Sequence, residues 1–218
     1  MGNLRYKFKI FKSGFTLAEV LITLVIIGVI AAMTIPTLIN KTEKQETVAR
    51  VKKAYSTLQS SIHKMALDKG YPQGDYSFIN DANFFDDFAK TVSIAKRCNG
   101  SGECLQRSTK HLSGSAGEID DNVYAIITSD GMVYTFGYTS SDIFGLLEED
   151  KDGYIGRFWV DVNGQKGPQT YGKDLFSFVL IQGKGVLPSG YGNTNDCYTN
   201  NRGVTCAARV LRENAINY

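Results

Sequence analysis

The sequence predicts an α+β fold, a long N-terminal helix packed on a small antiparallel sheet. Two observations predict it. An apolar run from Phe15 to Ile39 continues directly into a stretch with helical spacing that ends near Lys69. Further on, short segments rich in aromatic and β-branched residues are separated by turn signals. With 218 residues, 43% of them hydrophobic, there is material for a core, which excludes a disordered chain.

The first element is basic. Residues 1–14 carry Arg5, Lys7, Lys9 and Lys12 and no acid. The whole chain has a net charge of +2, so the part beyond residue 14 is net negative. That balance offers nothing to a general nucleic-acid binder. The run Phe15–Ile39 then holds 25 residues with one charge, Glu19. As a helix it would be roughly 37 Å long at ~1.5 Å per residue, enough for a ~30 Å hydrocarbon core. The basic residues before it stay on the cytoplasmic side, so the body after Asn40 lies outside. Two other readings stand beside this one. One is a buried helix of a soluble protein. The other is an ordinary secretory signal cut near Val29-Ile30-Ala31, although its apolar region should be shorter.

Glu19 distinguishes these readings. A carboxylate at the centre of a span costs about 2.5–3.5 kcal/mol on insertion scales, and less near an end. A plain anchor has no use for it. A cut between Gly14 and Phe15 would create an α-amine four residues before Glu19. The carboxylate of one subunit could then neutralise the amine of the next, and in low dielectric either charge left alone is costly. This is a physical reason for lateral assembly of like helices.

The order basic leader, Gly14, Phe15-Thr16-Leu17-Ala18-Glu19, apolar run resembles the class III signal of type IV pilins and type II secretion pseudopilins. The resemblance implies a pilin-like α+β fold. It also implies that a prepilin peptidase cuts after Gly14 and methylates Phe15, that Glu19 is the assembly acid, and that Pro36 is the proline that kinks the long helix. The partners implied are the chain itself or related subunits, the peptidase, an inner-membrane assembly platform and the lipid bilayer. Nucleic acid would enter only through a DNA-uptake pilin. The expected organisation is a removed leader at 1–14, a membrane and assembly segment at 15–40, and an extracytoplasmic head at 41–218. The protein would begin in the inner membrane as a single-pass chain and end in a periplasmic or cell-surface filament.

Beyond Asn40 the helix becomes amphipathic. Val48, Val51, Tyr55, Leu58, Ile62 and Met65 fall on one face, and Gly70-Tyr71-Pro72 ends it. Pro36 removes a backbone donor and should bend or loosen the helix. A second short helix is expected within 84–97. Four strands are expected at Val123–Ser129, Met132–Tyr138, Gly156–Val162 and Phe176–Gln182, the first two joined by Asp130-Gly131. Residues 139–156 and 189–203 read as loops. The stretch from Val160 to Pro168, with Gly172-Lys173-Asp174, also resembles a segment of pseudopilin-like heads.

Four cysteines allow three pairings. The local ones, Cys98–Cys104 and Cys197–Cys206, each enclose a Gly- or Asn-rich loop and are favoured in an oxidising exterior. The second loop also resembles the disulfide-closed C-terminal region of many type IV pilins. Zinc competes poorly, because the spacings hold no close ligand motif. Glu148-x-Asp150-x-Asp152-Gly153 copies the first half of a calcium loop, but Trp159 stands where the bidentate acid should be. It is not an EF-hand. The resemblance leaves calcium as a candidate cofactor, with Asp150, Asp152 and Asp161 as ligands to test.

No nucleophile elbow, zinc-protease, phosphate-loop or complete dinucleotide motif occurs. No catalytic residues are assigned. The expected function is that of a filament subunit. The alternative is a membrane-anchored minor tip subunit that binds a surface, a secreted protein or DNA.

Overall fold

The computed structural model describes residues 14–80, 83–105, 108–117, 124–137, 146–193 and 195–218. The leader before Gly14 lies outside them, as do the first residue of the expected strand at 123, the last of that at 138, and residues 139–145 of the expected loop. The chain divides into two compact units, one ending at Thr42 and one formed by Glu43–Tyr218.

Helix α1 spans Leu17–Asp68 and contributes to both units. It has a Thr, Leu, Ile and Val stretch followed by a polar stretch. Pro36 lies inside it, and the helix is present on both sides. In the apolar half of α1 the large apolar side chains are uncovered, from 42% exposed at Val20 to 78% at Leu17. Three threonine hydroxyls of this stretch turn inward: Thr23 donates to Val20 O, Thr34 to Ile30 O and Thr42 to Leu38 O. Such back-bonding satisfies these three hydroxyl donors without water. In the second unit one face is buried: Val48, Val51, Ala54, Leu58, Ser61, Ile62, Met65 and Ala66. The helix ends as Gly70-Tyr71 dictates. Gly70 adopts φ +75°, its N–H reaches Leu67 O at 3.0 Å, and Tyr71 N–H reaches Ala66 O at 2.9 Å. That is the paired closure a left-handed glycine permits.

A single 3₁₀ turn at Ser77–Asn80 precedes α2, Phe84–Thr91. The helix expected over 84–97 is thus shorter. Its last part is strand β1, Ile94–Cys98. Then come α3 (Ser101–Cys104), β2 (Thr109–Lys110), β3 (Ala116–Gly117), β4 (Tyr124–Thr128) and β5 (Val133–Gly137). A 3₁₀ turn at Glu148–Asp150 leads to β6 (Tyr154–Asp161). A further 3₁₀ turn at Gly164–Lys166 leads to β7 (Leu175–Ile181), then β8 (Gly185–Pro188) and α4 (Cys206–Glu213).

The main sheet has six strands in the order β1-β4-β5-β6-β7-β8, all antiparallel, and β2–β3 form a separate pair. Four expected strands have become six because β1 and β8 join at the two edges. The Asp130-Gly131 hairpin closes with Thr128 N–H on Met132 O at 2.9 Å. Lys53 pairs with Asp130 at 2.6 Å and ties that hairpin to α1.

The core lies between the buried face of α1 and one face of the sheet. Ile126, Tyr134, Phe158, Val160, Phe176 and Phe178 meet Val51, Leu58 and Ile62 there. Tyr55 stacks on Phe178 with ring centroids 5.7 Å apart. Phe84 and Phe88 of α2 cover Phe158. The opposite sheet face is buried too: Trp159 packs with Tyr171, Leu175 and Val204. Loops therefore cover the side that the helices leave open.

Candidate functional site

The N-terminal site is built from the first turn of α1. Thr16 precedes the helix and Glu19 is its third residue. Thr16 N–H donates to Glu19 Oε2 at 2.8 Å, and Thr16 Oγ1 donates to the same oxygen at 2.7 Å. Glu19 N–H returns a bond to Thr16 Oγ1 at 3.3 Å. This is a reciprocal capping box, which satisfies helix-end donors that otherwise lack partners. Its T-x-x-E signature lies openly in the sequence just before an apolar run, so a search for helix starts would have found it. The box gives Glu19 a local role besides any pairing with a neighbour. It also holds the carboxylate against the N-terminal end of the helix, where the backbone dipole favours negative charge.

From Leu17 the helix is long and apolar enough, by length and composition, to cross a membrane. Its most apolar eighteen-residue window has a mean hydropathy of 2.5. A helix apolar on all sides needs an apolar surrounding, whether lipid or other helices.

In the second unit the structure joins Cys98 to Cys104 and Cys197 to Cys206. The first bridge closes the turn carrying α3, where Lys96 and Glu103 also pair at 2.8 Å. The second bridge holds the start of α4 against the loop before it. Arg209 of α4 donates to Cys197 O at 2.7 Å and lies over the rings of Tyr198 and Tyr218, 5.0 and 5.3 Å from their centroids. His111 stacks on Tyr171 and has Arg202 O 3.2 Å from its Nδ1, and His63 is exposed on α1.

The expected calcium ligands do not converge. Asp150 is buried and pairs with Lys184 at 2.6 Å, while Tyr191 OH donates to its other oxygen at 2.5 Å. The Lys184 and Tyr191 bonds hold its carboxyl below the usual range. Asp152 lines a different groove, with Tyr76, Ser77 and Gln182. Asp161 stands at the far end of β6, seven residues along the strand from Tyr154, or roughly 23 Å at ~3.3 Å per residue. Among the described residues, no group of three or more His, Cys, Asp or Glu could hold a metal. The half-loop in the sequence is spent on an ion pair and a turn.

Asp161 occupies a site of another kind. It is wholly buried, and its Oδ1 accepts from Asn163 N–H at 3.1 Å. Asp174 is 3% exposed and accepts from Gln169 N–H at 2.9 Å, Thr170 N–H at 2.5 Å and Asn163 Nδ2 at 3.2 Å. Burial, and then the neighbouring Asp174, push the Asp161 carboxyl up to about 8. Burial also raises Asp174. These residues lie in the Val160–Asp174 stretch singled out by sequence. Arg50 Nη1 donates to Val162 O at 3.1 Å and binds the stretch to α1.

Among the curated proteins and the solved structures, nothing matches the chain. Its N-terminus does match a known signal: residues 11–35 fit the family model of the prokaryotic N-terminal methylation motif, so the chain carries the class III signal of type IV pilins and pseudopilins ahead of an α+β, pilin-like architecture.

Proposed function

We propose that this protein is a structural subunit of a type IV pilus or of a type II secretion pseudopilus, not an enzyme. A prepilin peptidase removes residues 1–14 after Gly14 and methylates Phe15. The segment 15–40 first anchors the precursor in the inner membrane as a single span. It then passes into a filament of the same or related subunits at an assembly platform, and residues 41–218 form the extracytoplasmic head. One observation carries this reading: the methylation motif at 11–35 leads straight into an apolar helix whose side chains the chain itself leaves uncovered. Glu19 is the only charge in that segment. Pairing with the α-amine of a neighbour's Phe15 supports lateral order, because an unpaired charge in an apolar medium is costly. Disulfides at Cys98–Cys104 and Cys197–Cys206 suit a head outside the cytoplasm.

Mass spectrometry of the native protein tests this. The expected N-terminal peptide begins with N-methyl-Phe at residue 15. A mature protein that keeps Met1, or one that begins after Ala31, overturns the reading.

A further inference from the structure

The sequence holds two Asn-Gly pairs, Asn99-Gly100 and Asn163-Gly164. In such a pair the glycine nitrogen can attack the asparagine side chain, because the residue that carries it has no side chain in the way. As letters the two pairs are equally reactive. The fold treats them in opposite ways.

Asn163 is held. Its Nδ2 donates to Gly167 O and to Asp174 Oδ2, both at 3.2 Å, which keeps the carboxamide from swinging onto the backbone. The Gly164 N–H, which would be the nucleophile, donates to the Asp161 carboxylate. Gly164 is buried, and a Cβ on it would lie 2.2 Å from Gly131 O, so the backbone there has no room to rearrange.

Asn99 is not held. It lies on the exposed turn after β1, inside the ring closed by Cys98–Cys104. Its backbone N–H donates to Glu103 Oε2 at 2.7 Å, but its carboxamide has no hydrogen-bond partner among the described residues. The Gly100 N–H has none among them either, while its carbonyl accepts from Glu103 N–H at 3.4 Å. Electrophile and nucleophile are therefore adjacent, unbonded and open to water.

We propose that Asn99 is a modification site, where the folded protein converts asparagine to aspartate and isoaspartate while Asn163 is preserved. The Gly100 nitrogen gives its proton to solvent, and its lone pair forms a bond to Asn99 Cγ. The bond from Cγ to Nδ2 breaks, and ammonia leaves with a proton taken from water. A succinimide ring remains. Water adds to one of its two carbonyls and opens it. Opening on one side yields aspartate. Opening on the other routes the backbone through the former side chain as isoaspartate. The sum is one water consumed and one ammonia released, with no oxidant or reductant. Either product places a carboxylate next to Glu103, whose other oxygen pairs with Lys96 at 2.8 Å. Lys96 then faces two acids, and the turn beside the edge strand gains a negative charge. The site stands independently of the filament reading.

The test incubates the full chain in detergent in mildly alkaline buffer, beside a sample unfolded in guanidinium chloride with its bridges reduced. Digestion and mass spectrometry follow the acid-for-amide mass gain in the peptides carrying Asn99 and Asn163. Electron-transfer fragmentation separates isoaspartate from aspartate. In the folded chain Asn99 should convert at least about tenfold faster than Asn163, which must wait for the head to open. In the unfolded chain the two rates should agree within about twofold, because neither pair keeps its native contacts. Asn99→Gln should leave its peptide without the gain. Equal rates in the folded chain overturn the proposal, and so does an Asn99 that converts only when unfolded. A rate difference as large unfolded as folded, or a gain that persists in Asn99→Gln, overturns it too.

Discussion

Glu19 serves two ends that one substitution can separate. Its carboxylate caps its own helix through Thr16, and it is the sole charge available to a neighbouring amine in the apolar segment. Glutamine keeps the acceptor needed by a capping box but removes the charge. Glu19→Gln should therefore be inserted and cut normally and still fail to assemble, whereas Glu19→Ala loses its half of the capping box as well. Immunoblots for processing and electron microscopy for filaments check this. Abundant filaments from Glu19→Gln would leave capping as the residue's main role.

Asp161 makes a second prediction at this scale. Its carboxyl is raised in the folded chain, to about 8, by burial and by Asp174. Between the unfolded value near 4 and that folded value, the native chain holds a proton that the unfolded chain releases. The associated stability is full below pH ~4 and declines as pH rises, by up to ~1.4 kcal/mol for each pH unit. Asp161→Asn cannot titrate. In EDTA its advantage over the parent should grow steadily from pH 5 to pH 8, as read by denaturant melts. A constant gap across that range would mean that the native carboxylate is already charged.

At the scale of elements, the β6–β7 connection is shaped by Gly164 as much as by its acids. Gly164 has φ +71°, and a Cβ there would sit 2.2 Å from Gly131 O in the β4–β5 hairpin. The clash is with backbone, which cannot rotate away. Gly164→Ala should cost about 2–4 kcal/mol, seen as a lowered denaturation midpoint. The Asn163-Gly164 pair signals a turn in the sequence, but its contact with another hairpin is a matter of packing. Other elements show the same division. The α1 stripe was legible because a helix facing one core repeats its apolar residues every three or four positions. Strand β1 was not. Ile94-Ala95-Lys96-Arg97-Cys98 places charge on an exposed edge, a pattern that edge strands use against aggregation and that also continues a helical spacing. Only its pairing with β4 makes it a strand.

For the whole molecule, the bridge Cys197–Cys206 holds α4 to the loop that covers the second sheet face. Val204 beside it packs on Trp159 and Leu175, and Ser177 donates to Val204 O at 2.9 Å. Replacing both cysteines with serine should lower stability by about 2–3 kcal/mol, the order expected for a short closed loop. Chemical denaturation of the full chain measures it. A loss well below that would place the strength of the C-terminal region in the packing of Ala207, Ala208 and Val210.

The sequence by itself determined the N-terminal third. A glycine, a phenylalanine, one acid and an apolar run act locally, through helix propensity, capping and transfer to an apolar medium, and such effects depend on residues a few positions apart. Tertiary structure decided the rest of the chemistry. Asp150, Asp152 and Asp161 look equivalent as letters. Strand β6 carries Asp161 away from the other two, Lys184 and Tyr191 take Asp150, and Asp161 meets Asp174 and Gln169 instead. Desolvation and ion pairing depend on what folds against a side chain, and that partner is chosen by strand pairing across long stretches of chain rather than by neighbours in sequence.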